Sequence, residues 1–99
     1  MIWHIVTFDM GAVDDETRAG LEDRLAALID LDVVVWLQVA RDVDSPSTTG
    51  LLSMFNSYDD LEAYRIHPEH VPVVEDIREL GIPVSRLDVE APLPPATSR

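Results

Sequence analysis

In the first half of the chain, the spacing of hydrophobic residues changes from a pattern typical of a strand to one typical of a helix. Residues 2–8 are rich in β-branched and aromatic side chains, which favours a strand with His4, Val6 and Phe8 on one face. Residues 14–30 then repeat apolar side chains at helical spacing, after acidic residues suited to a helix N-terminus. The buried stripe of this helix is predicted to consist of Leu21, Leu25, Leu28 and Ile29. The pattern therefore predicts a strand followed by an amphipathic helix.

Two further strands are predicted over residues 33–40 and 51–55. Alternation in the first of them assigns four apolar side chains to one face, namely Val33, Val35, Leu37 and Val39. The opposite face carries Val34, Trp36, Gln38 and Ala40. Residues 42–50 are rich in Ser, Thr, Pro and Asp, which predicts a loop before the second of these strands. Because both faces of the strand over residues 33–40 are apolar, we expect both sides of the sheet to be covered.

Prolines divide the helical part of the second half. A short helix over residues 60–66 should end before Pro68, because the residue that precedes a proline disfavours helical geometry. A longer helix should follow and stop at Gly81. Pro72 favours a start near His70, or else a local kink, since an interior proline removes a helical hydrogen bond. The buried stripe of this helix is predicted to consist of Val71, Val74 and Ile77.

The last predicted element is a strand over residues 83–91, followed by a proline-rich tail over residues 92–99. Alternation predicts that its apolar side chains point inward, namely Leu87, Val89 and Ala91. Its charged side chains are predicted to point outward, namely Arg86, Asp88 and Glu90. The tail is expected to be extended or disordered.

The order strand, helix, strand, strand, helical segment, strand is that of an α+β, ferredoxin-like split βαβ domain over residues 1–91. In this topology the helices cover one face of a four-stranded antiparallel sheet. The other face would expose a large apolar area, which is typical of an interaction surface. We therefore expect a homodimer in which two sheets pack face to face as a dimeric α/β barrel.

Composition and charge limit the number of domains, the possible partners and the chemistry of the protein. With 99 residues and 46% hydrophobic content, the chain suits one compact domain. A net charge of −12 repels phosphate backbones and anionic lipid, so neither nucleic acid nor membrane is expected as a partner. The absence of cysteine excludes disulfides and thiolate chemistry. The sequence has no signal-like or membrane-spanning apolar run, which predicts a cytoplasmic protein.

Candidate chemistry is concentrated in residues 64–71, which contain Tyr64, His67 and His70. A histidine with a pKa near neutral can remove a proton beside a carbonyl, and a tyrosine hydroxyl can stabilise the enolate that forms. His4 on the first strand is a further candidate to contact substrate. An apolar pocket for an alkyl or aryl molecule would be lined by Val6, Phe8, Phe55 and Val74.

Each of these residues also has a purely structural interpretation. His67, directly before a proline, is placed to bond backbone like a helix cap, and His70 could be tied to a backbone carbonyl. Tyr64 lies on a helical stripe suited to packing, and His4 shares its face with apolar neighbours. The three histidines are candidate metal ligands, but the sequence places no carboxylate clearly beside them. The sequence therefore predicts neither a metal nor an organic cofactor.

In its opening strand, residues 1–8, and in residues 63–71, which contain Tyr64 and the motif His67-Pro68-Glu69-His70-Val71, the chain resembles the stress-responsive dimeric α/β barrel family, often called Dabb. The resemblance covers residue 1 to about residue 89 and implies a ferredoxin-like protomer and a dimeric barrel. Some members are polyketide cyclases of the olivetolic acid cyclase type, which close a linear polyketide thioester without a cofactor. By that resemblance His70 is the base, Tyr64 orients it or binds substrate, and His4 lines the pocket. The third-strand histidine of that cyclase type has no counterpart in residues 48–51.

Three functions are consistent with these residues. The first is a small-molecule pocket protein with cofactor-independent cyclase or isomerase chemistry on His70 and Tyr64. The second is a non-enzymatic stress-response or ligand-binding homodimer, in which the same residues fix the helix junction. The third is a cofactor-free monooxygenase, for which the sequence offers no specific motif.

Overall fold

A computed structural model describes residues 1–93 of the chain. It consists of four strands, three α-helices and one short 3₁₀ turn. In chain order these are β1 (Ile2–Asp9), α1 (Asp15–Ala26), the 3₁₀ turn (Ala27–Asp30), β2 (Trp36–Arg41), β3 (Thr48–Phe55), α2 (Tyr58–Arg65), α3 (Val71–Glu79) and β4 (Val84–Glu90). The expectation of a tail over 92–99 lies largely outside the described residues.

The strands form one antiparallel sheet in the order β2-β3-β1-β4. The helices pack on the face of β1 that carries Ile2, His4, Val6 and Phe8, all of which are buried. Apolar side chains of β3 and the helices complete the core. The predicted ferredoxin-like α+β fold is thereby confirmed.

Two helices begin at a side-chain cap, and the third ends before a glycine. The Asp14 carboxylate accepts a hydrogen bond from the Thr17 backbone at the start of α1 (2.7 Å), and Ser57 caps α2 through the Asp60 backbone (3.2 Å). Helix α3 begins at Val71, as the second proline required. It ends before Gly81, whose φ of 70° is readily adopted only by glycine.

The first half departs from prediction around residues 27–35. The helix changes to a 3₁₀ turn at Ala27, which rotates the stripe and leaves Ile29 44% exposed. The Val34 backbone then donates to the Leu31 carbonyl in a turn, so β2 starts only at Trp36. As a result Val34 joins Leu37 in the core and Val35 is exposed, so the predicted alternation is wrong for residues 33–35. Within β2 it is confirmed, since Leu37 and Val39 lie on the core side of the sheet.

Strand β3 is longer than predicted, because it includes three residues that were assigned to the loop. Thr49 is completely buried and accepts hydrogen bonds from the Arg18 guanidinium, which is itself buried (3.1 and 3.2 Å). Its hydroxyl donates to Glu22 at 2.8 Å. This polar cluster pairs a buried cation with a carboxylate and explains how polar residues can occupy the interior here.

The predicted orientation of β4 is wrong. Asp88 lies directly opposite His4 in the sheet, and Arg86 opposite Val6, so both charged side chains are on the helix-covered face. Leu87 is opposite Ile5 and points to the open face. The apolar alternation of β4 was detected correctly, but it marks the open face rather than the core.

The stripe of α3 is also shifted. Val73 and Ile77 are the buried positions, whereas Val71 and Val74 are half-buried. A start at Val71, later than the first proline would give, is consistent with this rotation of the buried side.

Candidate functional site

A cavity of about 550 Å³ lies between the helices and the β1–β4 side of the sheet. Each helix and three of the strands contribute to its wall. The lining residues are His4, Val6, Phe8, Leu25, Leu51, Tyr64, Arg65, His70, Val74, Ile77, Arg78, Ile82, Val84 and Arg86. Six of the predicted site residues are thus brought together at one cavity. Its volume suits a small organic molecule.

Two of the predicted residues lie elsewhere. Phe55 is completely buried behind the cavity wall, with its ring centroid 5.0 Å from that of Tyr64 and 6.3 Å from that of His4. It supports these two rings instead of contacting the cavity. His67 accepts a hydrogen bond from the Glu69 backbone on Nδ1 at 3.0 Å, and so stabilises the turn into α3.

The His70 ring is fixed by one hydrogen bond. Its Nδ1 lies 3.1 Å from the Arg65 carbonyl oxygen. Because a carbonyl can only accept, Nδ1 must carry the proton, which leaves Nε2 as the basic nitrogen. Burial lowers the pKa of His70, although the hydrogen bond to the Arg65 carbonyl partly offsets this. The imidazole is therefore neutral at pH 7 and can accept a proton.

Tyr64 packs directly against this imidazole. The two ring centroids are 4.3 Å apart, at an angle of 38° between planes. Only 1% of the tyrosine is exposed, and burial raises the pKa of its phenol, so the hydroxyl remains protonated at neutral pH. A protonated phenol beside a neutral imidazole provides a hydrogen-bond donor and a base at the same cavity.

A second histidine is held by a carboxylate that the sequence analysis did not select. Nδ1 of His4 hydrogen-bonds the Asp88 carboxylate, and its ring centroid lies 5.8 Å from that of Tyr64. Burial lowers the pKa of His4, while the bond to Asp88 acts in the opposite direction. Orientation by a carboxylate leaves Nε2 of His4 as the remaining ring nitrogen, a common arrangement for a working histidine.

Asp88 is in turn paired with two arginines. Arg65 donates to its Oδ2 at 2.8 Å, and Nε of Arg86 lies 3.2 Å from the same oxygen. Burial disfavours the charged carboxylate, but bonds and charges from His4 and Arg65 outweigh it and lower the pKa of Asp88. Asp88 is therefore ionised at neutral pH and links β1, β4 and α2.

Three arginines complete the polar part of the wall, namely Arg65, Arg78 and Arg86, and none of them was predicted from the sequence as a site residue. The signal for Asp88 was present in the antiparallel pairing of the first and last strands, which makes His4 and Asp88 direct neighbours. It was missed because the apolar residues of β4 were assigned to the core. No comparable signal identifies Arg78, whose place at the cavity depends on how α3 packs.

The described residues contain neither a cluster of potential metal ligands nor a helix suited to a membrane. Between residues 1 and 93, no group of three or more potential His, Asp or Glu ligands is close enough to hold a metal ion. None of the helices in that same stretch has the length and apolar character needed to cross a bilayer.

A family model described as the stress responsive A/B barrel domain matches residues 2–91. The stress-response A/B barrel domain-containing protein DABB1 of Arabidopsis thaliana is 32% identical over 105 residues, which cover 93% of this chain and 49% of that protein. The chain therefore spans about half the length of this relative.

Solved structures share the fold. A dimeric protein of unknown function with a ferredoxin-like fold from Bacteroides fragilis matches with a TM-score of 0.71 and 22% identity, over 91% of this chain and 95% of that chain. SnoaB, a cofactor-independent oxygenase from Streptomyces nogalater, matches with a TM-score of 0.77 and 14% identity, over 94% of each chain. At these identities the similarity concerns the fold alone.

Proposed function

The chain belongs to the stress-responsive A/B barrel domain family, and we propose that its cavity binds a small apolar or aromatic molecule and performs cofactor-independent acid-base chemistry on it. The reaction class we propose is that of a polyketide cyclase or isomerase. The observation that carries the proposal is the contact between a neutral His70 and a protonated Tyr64 at the wall of one cavity.

The proposed roles follow from the protonation states. Nε2 of His70 removes a proton from the carbon beside a substrate carbonyl, and the Tyr64 hydroxyl donates a hydrogen bond to the enolate oxygen. The enolate carbon then attacks a second carbonyl of the same molecule and forms the new C–C bond. The imidazolium returns its proton to the resulting alkoxide, so the enzyme ends in its starting state. No oxidant, reductant or cofactor is needed for this balance.

The test is turnover of a linear polyketide thioester by three variants. His70→Ala should lower kcat by roughly 10²–10⁴-fold, because that is the usual contribution of a positioned general base. Tyr64→Phe should lower it by about tenfold or more, since a single donor to the enolate is lost. His67→Ala serves as the control, because His67 lies outside the cavity wall and its side chain bonds only the Glu69 backbone among the described residues. Unchanged turnover in both His70→Ala and Tyr64→Phe would refute the assignment.

We also propose that the protein is a homodimer formed through the open face of the sheet. This face carries apolar side chains from all four strands, including Trp3, Trp36, Leu52 and Leu87. The Bacteroides fragilis protein of the same fold is dimeric, which supports a dimer here as well. Light scattering coupled to size-exclusion chromatography at micromolar concentration should give the mass of two chains, and the mass of one chain would contradict the proposal.

A second candidate function is cofactor-independent oxygenation, favoured by the similarity in fold to SnoaB. It predicts oxygen uptake with an electron-rich aromatic substrate, which cyclase chemistry does not. The third candidate is a binding protein without activity. In that case a ligand would bind at the cavity with no turnover, and His70→Ala would cost about 1 kcal/mol or more in stability through the unpaired Arg65 carbonyl.

A further inference from the structure

The charge of the cavity is opposite to that of the protein. All seven basic residues of the chain are arginines, set against nineteen Asp and Glu. Three of these arginines line the cavity, namely Arg65, Arg78 and Arg86. No carboxylate is among the lining residues. In a protein of net charge −12, such a local concentration of positive charge needs an explanation.

The three arginines differ in how much of their charge is already paired. Arg65 is neutralised by Asp88 and by Glu62, with which it forms ion pairs. Arg86 shares Asp88 through Nε, and its side chain is 60% exposed. Arg78 is exposed and forms no ion pair with any residue between 1 and 93. One carboxylate therefore serves two arginines and a histidine, and the cavity retains excess positive charge.

The two less paired arginines lie on opposite walls. Arg78 is on α3, next to the buried Ile77, and Arg86 is on β4, opposite Val6 of β1. Ile77 and Val6 also line the cavity, so each of the two arginines has an apolar lining residue as its neighbour. This combination suits a molecule with an apolar body and a charged end.

We propose that the ligand of the cavity carries one anionic head group, held by Arg78 and Arg86, and an apolar body that extends toward His70 and Tyr64. The inference rests on the proposed function, because it assumes that a small molecule enters the cavity. Guanidinium groups bind carboxylates and phosphates through paired hydrogen bonds, which makes both groups suitable heads. The positive charges of Arg78 and Arg86 also attract an anion to the cavity, although the protein as a whole is acidic and would repel it.

Binding of matched probes tests the inference directly. Isothermal titration calorimetry would compare 4-hexylbenzoate with its neutral amide, 4-hexylbenzamide, and with 4-hexylphenyl phosphate. The wild-type protein should bind the benzoate at least tenfold more tightly than the amide, in line with the strength of a charge-assisted hydrogen bond. Comparison of the dissociation constants of the benzoate and the phosphate shows which of the two head groups the cavity prefers.

Arginine variants separate local contact from overall charge. Arg78→Gln and Arg86→Gln should each weaken the benzoate by roughly three- to tenfold and leave the amide unchanged. Arg24→Gln is the matched control, because it removes the same charge from an arginine outside this cavity. Its effect on either probe should be less than twofold.

Each outcome has a defined meaning. Equal binding of benzoate and amide would refute the anionic head group while leaving a ligand-binding cavity intact. An equal loss of benzoate binding in Arg24→Gln and Arg78→Gln would refute the specific contact, because overall charge would then be responsible. If no probe bound at millimolar concentration, both this inference and the proposed ligand-binding function would fail.

Discussion

The two faces of the sheet carry different kinds of residue on the same strand, β4. On the helix-covered face β4 presents Arg86 and Asp88, next to His4 and Val6 of β1. On the open face the same strand presents Leu87 and Val89, although no element of the described chain covers them. The face packed against helices therefore carries the charged groups of β4, and the uncovered face carries the apolar ones.

This difference explains what each face is suited to do. The proposed acid-base chemistry needs charged and hydrogen-bonding groups at the cavity. These groups are tolerated beneath the helices because Asp88 satisfies His4 and Arg65. An uncovered apolar surface instead gains stability only by contact with another surface. In this fold, the two faces of β4 thus separate the proposed ligand site from the proposed dimer surface.

The largest expected effect is on the open face. Leu87→Asp should weaken the proposed dimer by roughly 100-fold, because burying a carboxylate in an apolar interface costs about 3 kcal/mol. The protomer itself should remain folded, since Leu87 is 56% exposed before any partner binds. Sedimentation equilibrium at several concentrations would measure the change in dissociation constant.

Val43→Asp is the matched control for this experiment. Val43 is 93% exposed in the loop between β2 and β3, so the same added charge should leave the dimer unchanged. Equal dissociation constants for Leu87→Asp and the wild type would place the interface elsewhere and remove the contrast between the two faces.

A smaller effect is expected on the helix-covered face. Asp88→Asn should lower the free energy of unfolding by about 1–3 kcal/mol, because Arg65 loses a charged acceptor and the amide cannot satisfy both His4 and the guanidinium. Urea denaturation would measure the loss. Asp32→Asn, at an exposed turn position, should change stability by less than about 0.5 kcal/mol. A loss that is equal in the two variants would mean that Asp88 contributes only general charge.

Much of the fold could be predicted from local pattern. The order of elements, the capping of α1 by Asp14 and the stop at Gly81 each depend on a few neighbouring residues. Such signals survive folding because they express backbone preferences that tertiary contacts did not override here. The gathering of His4, Tyr64 and His70 at one cavity also agreed with the sequence-based hypothesis, although their chemical roles remain predictions.

The features that were missed depend on which face of an element is covered. Alternation assigns side chains of β4 to two sets, but it cannot decide which set faces helices and which faces a partner. For this reason the predicted orientations of Asp88 and Leu87 were the reverse of those in the structure. The turn at Val34 and the buried pairing of Arg18 with Thr49 likewise depend on contacts between elements distant in sequence.

The smallest effect is a dependence of stability on pH through the cavity histidine His70. Burial lowers its pKa in the folded protein below the ordinary value of 6.5, so the unfolded chain binds the proton more readily. The corresponding stability is fully present above about pH 6.5 and is lost as the pH falls through that value, by at most about 1.4 kcal/mol per pH unit.

The comparison of wild type with His70→Gln isolates this contribution, since all other titrating groups are shared. Urea denaturation between pH 7.5 and 5 should give a steeper loss of stability in the wild type, and the two curves should converge toward low pH. This window lies above the ordinary pKa of Asp88, 3.8, and the pKa in the folded protein is lower still, so the Asp88 carboxylate stays ionised throughout. Parallel curves would mean that the imidazole titrates equally in both states, and His70 could then no longer be described as a buried base.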